Sequence, residues 1–309
     1  MQSLGIDVAK STLKCAYEGE VREFANSSSG HAALLDWAGG AGIWCMEATG
    51  RYHESVAQLA YAKGIRTAVV NPGQAKKYLD FVSHRSKTDK VDAEALARLG
   101  EREGENLRPF RPVPAEVALA RDILVRRKAL VESRVSLGQV VDATGDPQGH
   151  LASAISAMKA VQSELERELV ATLRGYESYQ HLLTIPGIGP LSASILVCTL
   201  ERGEFATSDS LVAFAGLDPR ANDSGRHRGR RMLSHHGDAQ LRTILFMAAR
   251  AAARLPPWKP YYVSQLAKGL PTTAATVILA RKLLRVAWSV NRQNSPFIQK
   301  NGPTLDIPT

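Results

Sequence analysis

The sequence predicts an α/β domain with a mixed sheet at the N-terminus, followed by a mainly helical remainder of the chain. Residues 2–25 alternate apolar and polar side chains and are rich in β-branched residues, which is typical of strands. Segments of strand and helix character then alternate up to about residue 105, which indicates an α/β arrangement. Beyond residue 114, apolar residues recur with a heptad period, which indicates long helices.

The N-terminal elements follow from local patterns. We expect two or three antiparallel strands in residues 2–25, with a glycine turn in the segment YEGEV at 17–21. The elements expected after them are a helix around 31–37, a strand through 42–46, a helix over 54–62 and a strand over 67–70 that ends at the sequence Asn71-Pro72-Gly73. Together they predict one mixed-sheet domain over residues 1–105.

A different kind of sequence follows the first domain. Residues 106–114 (NLRPFRPVP) carry three prolines and predict a linker. Two heptad ladders then precede a break at 144–149, and apolar residues at steps of four and three follow it, with Gln162 as the only interruption. This pattern predicts an antiparallel helical hairpin or coiled-coil arm, so that linker and arm span 106–177. Two ordinary amphipathic helices packed on a domain are the alternative.

The last predicted domain, 178–309, begins with a glycine-rich turn between two apolar helices. The segment LLTIPGIGPLSASILV has the pattern of a helix-hairpin-helix. Glycines at such a turn leave backbone N–H groups bare at a helix N-terminus, where a phosphate binds well. We therefore expect Gly187 and Gly189 to contact nucleic acid, and a tight turn without a ligand is the alternative.

Composition restricts the class of partner. The chain has 309 residues and a formal net charge of +9, which favours nucleic acid or an anionic membrane as partner. No apolar run approaches the length of a membrane span and the N-terminus lacks a signal-peptide profile, so no membrane role is expected. The cysteines, Cys15, Cys45 and Cys198, lack metal-ligand spacing and predict reduced core thiols. The adjacent His235 and His236 do not predict a zinc site, since their side chains diverge.

Four acids are the candidate catalytic and metal-binding residues. Asp7 (in GIDVAK) and Glu47 (in CMEATG) each close a short apolar run, whereas Asp89 and Asp92 (in KTDKVDA) lie three residues apart at a predicted helix start. Taken singly, each also fits a structural role, such as a turn or a helix-start acid. Taken together, the order strand acid, strand acid, helix acid pair is that of RNase H-like nucleases, whose carboxylates hold Mg²⁺ or Mn²⁺.

A second candidate site lies in the segment AFAGLDPRANDSGRHRGRR. Ser224 is followed by a glycine that allows close approach of the backbone to a ligand, and then by arginines whose planar donors match phosphate oxygens. The candidate nucleic-acid-binding residues here are Gly225, Arg226, Arg228, Arg230 and Arg231. The chemistry alone favours a serine that hydrogen-bonds a phosphate over one that attacks it, because no adjacent general base is visible.

The ordered motifs also carry a resemblance to a known family. GIDVAK, MEATG, NP-x-Q, KTD-x-VDA, IPGIG, FAGLDP and SG-x-x-RG-R together resemble the DEDD-type insertion-sequence transposases of the one-hundred-ten family, which are relatives of the Piv DNA invertase and include the bridge-RNA-guided recombinases. The resemblance covers essentially the whole chain. It implies a RuvC-like domain over 1–105, a helical coiled-coil arm and then a helical transposase domain over 178–309.

The resemblance also implies a mechanism and partners. Asp7, Glu47, Asp89 and Asp92 fall on the positions that bind Mg²⁺ in the family, and Ser224 falls on the serine that attacks DNA and becomes transiently linked to a phosphate. The implied partners are double-stranded donor and target DNA, a structured guide RNA and further copies of the chain in a dimer or tetramer, in the bacterial cytoplasm at the nucleoid. A metal-dependent nuclease or Holliday-junction resolvase, and a catalytically silent nucleic-acid-binding protein, are the alternatives.

Overall fold

The structure, a computed structural model, divides into two compact units, residues 1–112 and 113–309. It describes residues 2–48, 50–71, 73, 75, 78, 89–203, 205–220, 232, 233 and 237–299. The side chains of residues 89, 90, 219, 220, 232 and 233 lie outside this description. The division of the chain into the three domains 1–105, 106–177 and 178–309 stays a prediction.

The first unit alternates strands and helices. Its elements are β1 (Ser3–Val8), β2 (Thr12–Tyr17), β3 (Glu20–Ala25), α1 (Ser28–Ala38), β4 (Ile43–Glu47), α2 (Glu54–Ala62), β5 (Thr67–Val70) and α3 (Asp89–Glu103). The N-terminus of α1 is capped by Ser27, whose side chain accepts a hydrogen bond from the amide of Gly30. The helix predicted over 54–62 agrees with α2, and the strand predicted over 67–70 agrees with β5. The helix predicted around 31–37 lies within α1.

The strands form one five-stranded mixed sheet in the order β3-β2-β1-β4-β5. β1, β2 and β3 pair antiparallel, whereas β4 pairs parallel with both β1 and β5. The expected mixed sheet is therefore confirmed. One face of the sheet buries Leu4, Ile6, Trp44 and Met46 with the apolar sides of α1 and α2. The other face buries Cys45 against Leu96 and Leu99 of α3.

Within its described residues, the second unit is helical apart from one short strand pair. Its helices are α4 (Ala115–Thr144), α5 (His150–Leu173), α6 (Glu177–Leu183), α7 (Pro190–Arg202), α8 (Ser208–Phe214), α9 (Ala239–Ala252), α10 (Lys259–Ala267) and α11 (Thr272–Gln293), and its strands are β6 (Pro219–Arg220) and β7 (Met232–Leu233). Asp238 caps α9 by accepting hydrogen bonds from the amides of Gln240 and Leu241. Within the described part of the chain, no helix is long and apolar enough to cross a membrane.

α4 and α5 pack along each other as an antiparallel pair. The connection Gly145–Gly149 lies where the heptad pattern breaks, and Arg127 of α4 donates to Glu166 of α5 at 2.7 Å. Gln162, the one polar residue in the apolar series, donates to the same carboxylate at 3.0 Å. A polar layer therefore replaces one apolar layer of the pair. The extent to which the pair projects as an arm stays a prediction.

The core of the second unit joins the base of this helix pair to the C-terminal helices. Val117, Ile123, Leu169 and Leu173 are buried in the same apolar cluster as residues of α6, α7, α9 and α11. Trp258 is fully buried in this cluster, and its indole Nε1 donates to the carbonyl of Pro186 at 2.7 Å. A large aromatic side chain with a satisfied donor thus fixes the glycine turn before α7 to the core.

Candidate active site

Asp7 and Glu47 lie at the carboxyl ends of two adjacent parallel strands. Gly5 pairs with Cys45 and Ile6 with Met46, so the register continued by one residue sets Asp7 beside Glu47. Because side chains alternate along a strand, both acids belong to the face opposite Ile6 and Met46. Both residues are half-buried. The structure therefore brings the two predicted strand acids together at one edge of one face of the sheet.

α3 covers this same face through an unusually close contact with β1. A Cβ atom at Gly5 would overlap the carbonyl oxygen of Ala93 and the amide nitrogen of Ala97, and a Cβ at Gly100 would overlap the hydroxyl of Ser3. Only glycine at these places allows the helix backbone to lie directly on the strand. The contacts also show the direction of the helix. Later residues of α3 lie over earlier residues of β1, so α3 runs antiparallel to β1.

This direction places the helix acids at the same edge as the strand acids. Gly100 lies over Ser3 and Ala93 lies over Gly5, so the first turn of α3 reaches the end of β1 that carries Asp7. That turn begins at Asp89 and contains Asp92, which is half-buried. The backbone therefore gathers all four predicted acids at one end of the sheet. The side chain of Asp89 lies outside the described residues.

The donor set at this edge suits a hard divalent cation. Carboxylate oxygens are the ligands that Mg²⁺ and Mn²⁺ prefer. Among the side chains that the structure describes, no three Asp, Glu, His or Cys residues form a group that could hold a metal ion. The acids are thus placed on a common edge by the backbone, and their ligation of a metal stays a proposal.

Lys14 is a neighbour of the acids that the sequence patterns did not indicate. It is the register partner of Asp7 on β2, and its ammonium lies 3.8 Å from Glu23 on β3. Opposite charges directly across an antiparallel pair stabilise the sheet.

Burial raises the pKa of the Cys15 thiol, which follows Lys14 on β2, and the charge of Asp7 raises that pKa further. All three cysteines are buried and free, which confirms their prediction as core thiols.

Asn26 and His31 connect the loops that follow the two acidic strands. The amide of Asn26 donates to the carbonyl of Ala9, two residues after Asp7, at 2.9 Å and to the carbonyl of Tyr52, after β4, at 3.1 Å. The ring of His31 lies 2.7 Å from the Asn26 Oδ1 and is buried. These contacts hold the two loops at a fixed separation. No sequence motif indicated these residues, because their role depends on where two distant loops meet.

The base of the predicted serine segment is held by β6, β7 and α9. Pro219 pairs with Leu233 and Arg220 with Met232. Arg242 of α9 donates to the carbonyl of Ala215 at 3.1 Å, and the backbone amide of Asp238 donates to the carbonyl of Phe214 at 3.2 Å. The chain that enters and leaves the segment is therefore fixed to α8 and α9. The predicted site residues Ser224, Gly225, Arg226, Arg228, Arg230 and Arg231 lie outside the described residues.

The two predicted glycines of the turn before α7 have different environments. Gly187 has a φ of +93°, and a Cβ there would lie 2.6 Å from the Cβ of Ala252 on α9. Gly187 is therefore required by backbone conformation and by packing. Gly189 is the N-cap residue of α7, and Pro190 follows at the first helical position. Gly189 has no side chain that could cap the helix, so the first N–H groups of α7 suit an anion. The helix-hairpin-helix assignment and the nucleic-acid contacts of both glycines stay predictions.

Comparison with known proteins identifies the class and the family. A transposase model of the IS110 DEDD type matches residues 4–144, and a model described as the transposase IS116/IS110/IS902 family matches residues 179–263. The first covers the unit with the acidic sheet edge, and the second covers the turn before α7 and the serine segment. The chain is therefore a DNA transposase/recombinase. It belongs to the IS110/IS116 family of insertion-sequence transposases.

Full-length relatives agree with this assignment. The chain is 28% identical to the pilin gene-inverting protein of Moraxella bovis over 95% of this chain and 97% of the relative. It is 25% identical to the transposase for insertion sequence element IS1111A of Coxiella burnetii over 93% of this chain and 88% of the relative. Among solved structures, it is similar to Thermus thermophilus RuvC in complex with a Holliday junction substrate, with a TM-score of 0.28 and 14% identity over 36% of this chain and 99% of RuvC. The fold of the first unit is assigned from its five-stranded mixed sheet and not from this similarity.

Proposed function

We propose that the chain cleaves and rejoins DNA through a serine nucleophile, Ser224, assisted by the acids Asp7, Glu47, Asp89 and Asp92. The observation that carries this proposal is the common edge of the sheet, where the backbone gathers the ends of β1 and β4 and the first turn of α3. The match of a second transposase model to residues 179–263, which include Ser224, supports a role for this segment in the same reaction.

The acids would hold Mg²⁺ or Mn²⁺, which supplies Lewis-acid polarisation of the scissile phosphate. The Ser224 Oγ attacks phosphorus, and a serine–phosphate ester forms as the phosphorus–oxygen bond to the sugar breaks. The proton of the serine hydroxyl ends on the leaving sugar oxygen. The ester stores the energy of the broken bond, so a sugar hydroxyl of a second strand can reverse the step and reseal DNA without ATP.

Further residues of the chain are proposed to bind nucleic acid. Gly187 and Gly189 would present the turn before α7 to a phosphate, and Gly225 with Arg226, Arg228, Arg230 and Arg231 would surround the phosphate that Ser224 attacks. We extend the proposal to donor and target DNA, to a structured guide RNA and to a dimer or tetramer in which acids of one copy meet the serine of another. Sequencing the nucleic acid that copurifies with the protein tests the RNA: a discrete RNA encoded beside the gene supports it, and random fragments contradict it.

The mechanism is tested by recombination of a plasmid that carries the gene with its native flanking DNA. Ser224→Ala and Asp7→Asn should each abolish recombination, since one removes the nucleophile and the other an acid at the common edge. Asp36→Asn, an exposed position on α1, is the matched control and should recombine at the wild-type rate.

The alternatives predict different outcomes in the same assay. A nuclease that uses metal-bound water would leave free DNA ends in the Ser224→Ala variant. A catalytically silent binding protein would give no recombination in the wild type, and Asp7→Asn would have no effect. Either result contradicts the proposed function.

A further inference from the structure

Arg281 on α11 has a buried donor without an acceptor. The residue is half-buried, and its Nε is removed from solvent with no hydrogen-bond partner in the part of the chain that the structure describes. A buried donor that gives up water without gaining an acceptor costs free energy. Arginine is also rarely withdrawn from water unless it is paired. This position therefore calls for a specific explanation.

The neighbours of Arg281 do not provide a dedicated counter-ion. Asp209 on α8 is occupied by Arg285, whose Nε and Nη2 both donate to its Oδ1, at 3.1 and 2.7 Å. Arg285 lies one helical turn from Arg281 on the same face of α11. Lys282 extends its ammonium over the ring of Tyr261 on α10, at 5.8 Å from the ring centroid. Asp209, whose side chain is 75% exposed, thus lies in an ion pair with Arg285 and also acts on the charge of Arg281.

The electrostatic balance at Arg281 is unfavourable for its charge. Burial lowers the pKa of the guanidinium, and the charge of Arg285 lowers it further, whereas Asp209, Tyr261 and Asp218 act in the opposite direction. Arginine nevertheless stays charged in proteins. The molecule therefore maintains a partly desolvated cation at a free-energy cost, and local costs of this kind are found at functional sites.

The location connects this cluster to the predicted reaction. Asp218 lies next to Pro219, the first residue of β6, and β6 leads into the segment that carries Ser224. The negative charge of Asp218 acts to raise the pKa of the Arg281 guanidinium, against the effect of burial. The planar fork of arginine matches the geometry of phosphate oxygens.

We propose that Arg281, with Arg285 and Lys282 beside it, binds a backbone phosphate of the DNA that the protein recombines. The proposal rests on the proposed function, because that function supplies the DNA. Arg281 is a binding residue in this role: it holds the strand beside the base of the serine segment. Because Arg281 is only half-buried, the phosphate would accept from the terminal N–H groups of the guanidinium and not from the covered Nε.

The test is the salt dependence of DNA binding by the full chain. A fluorescent duplex with the native flanking sequence is titrated with protein at salt concentrations between about 50 and 200 mM. Each phosphate contact contributes about 0.9 to the slope of log K against log salt. Arg281→Gln should therefore lower the magnitude of the slope by about 0.9. The control Arg254→Gln removes the same charge from an exposed position at the end of α9 and should have a smaller effect.

The outcomes separate this proposal from the proposed function. An unchanged slope in Arg281→Gln, or equal changes in both variants, overturns the phosphate site. A wild-type chain without affinity for DNA overturns both proposals. The measurement requires binding and no chemistry, so a failure of the Ser224 mechanism leaves its result standing.

Stability distinguishes a ligand-binding arginine from a structural one. Arg281→Gln should keep or raise the thermal midpoint, because it removes an unsatisfied desolvated charge. An arginine that neutralises buried acids would instead lower the midpoint by more than about 4 °C on replacement. If the midpoint falls in this way, the variant Arg281→Lys distinguishes the two roles. It should keep the slope but bind DNA about 10-fold more weakly, since the charge remains and the planar fork is lost. Unchanged affinity in Arg281→Lys contradicts the proposal.

Discussion

The Nε2 of His31 lies 2.7 Å from the Oδ1 of Asn26, and this contact fixes the side chain that joins the two acidic strand ends. Because the Asn26 amide nitrogen donates to the carbonyls of Ala9 and Tyr52, its oxygen is the acceptor and His31 is the donor. The pair belongs to the scaffold that sets the separation of Asp7 and Glu47.

Asn26→Asp should reduce recombination by about 100-fold while the protein stays folded. The replacement keeps the size of the side chain but removes both donors, so the loops after β1 and β4 lose their connection. A displacement of about 1 Å in a catalytic group costs roughly two orders of magnitude in rate. Recombination of the plasmid with native flanking DNA measures the effect. Asn106→Asp, an exposed position, is the control, and equal activity of the two variants contradicts the positioning role.

His31 should make the first unit less stable in acid. Burial lowers the pKa of His31 from its usual value of 6.5. As the pH falls below that value, the unfolded chain takes up a proton that the folded chain does not, so the free energy of unfolding decreases. Above that pH the residue is neutral in both states and contributes no pH dependence.

The pH effect is measured by denaturant unfolding at several pH values. His31→Gln should lower the acid slope of the unfolding free energy, by at most about 1.4 kcal/mol per pH unit. His150→Gln, at an exposed position at the start of α5, is the control for replacing a histidine by glutamine. Identical slopes for the wild type and His31→Gln contradict the prediction.

Gly5→Ala should destabilise the protein and reduce activity together. The new methyl group would overlap the backbone of α3 at Ala93 and Ala97, so the helix must move away from β1. Overpacking of this kind costs about 1–3 kcal/mol. Gly138→Ala on α4 is the control, because a Cβ there meets no atom within 4 Å. Wild-type stability in Gly5→Ala would contradict the close contact of strand and helix.

The polar layer between α4 and α5 should show measurable coupling. Arg127 and Glu166 are 15% and 38% exposed and lie 2.7 Å apart. A double-mutant cycle with Arg127→Gln and Glu166→Gln should give a coupling of about 0.5–1 kcal/mol, reduced by partial exposure. The exposed pair Lys128 and Glu132, 3.8 Å apart, should give less. A larger coupling in the control pair contradicts the importance of the layer.

The sequence predicted the elements whose signals are local. Asp7 and Glu47 each end an apolar run, and both lie at strand ends in the structure. The break in the heptad pattern at 144–149 coincides with the connection between α4 and α5. Such features depend on residues that are close along the chain. A hydrophobic period or a turn residue therefore indicates them in the sequence.

The residues that the sequence did not indicate depend on contacts between distant segments. Asn26 bonds to Ala9 and Tyr52 only because two loops meet above it. Lys14 lies opposite Asp7 through the strand register. Nothing in the sequence around Arg281 distinguishes it from a solvated surface cation on a helix. Its desolvation and its proximity to Asp218 arise from the packing of α8, α10 and α11.

The role of Ser224 as nucleophile is tested by mapping the residue that becomes linked to DNA. The wild-type protein is incubated with duplex DNA of its native flanking sequence, denatured and digested with nuclease and protease, and the peptides are analysed by mass spectrometry. We expect a nucleotide on the Ser224 hydroxyl in the wild type, a strong reduction in Asp7→Asn and none in Ser224→Ala. DNA cleavage with free ends, and no nucleotide on Ser224, would contradict this role.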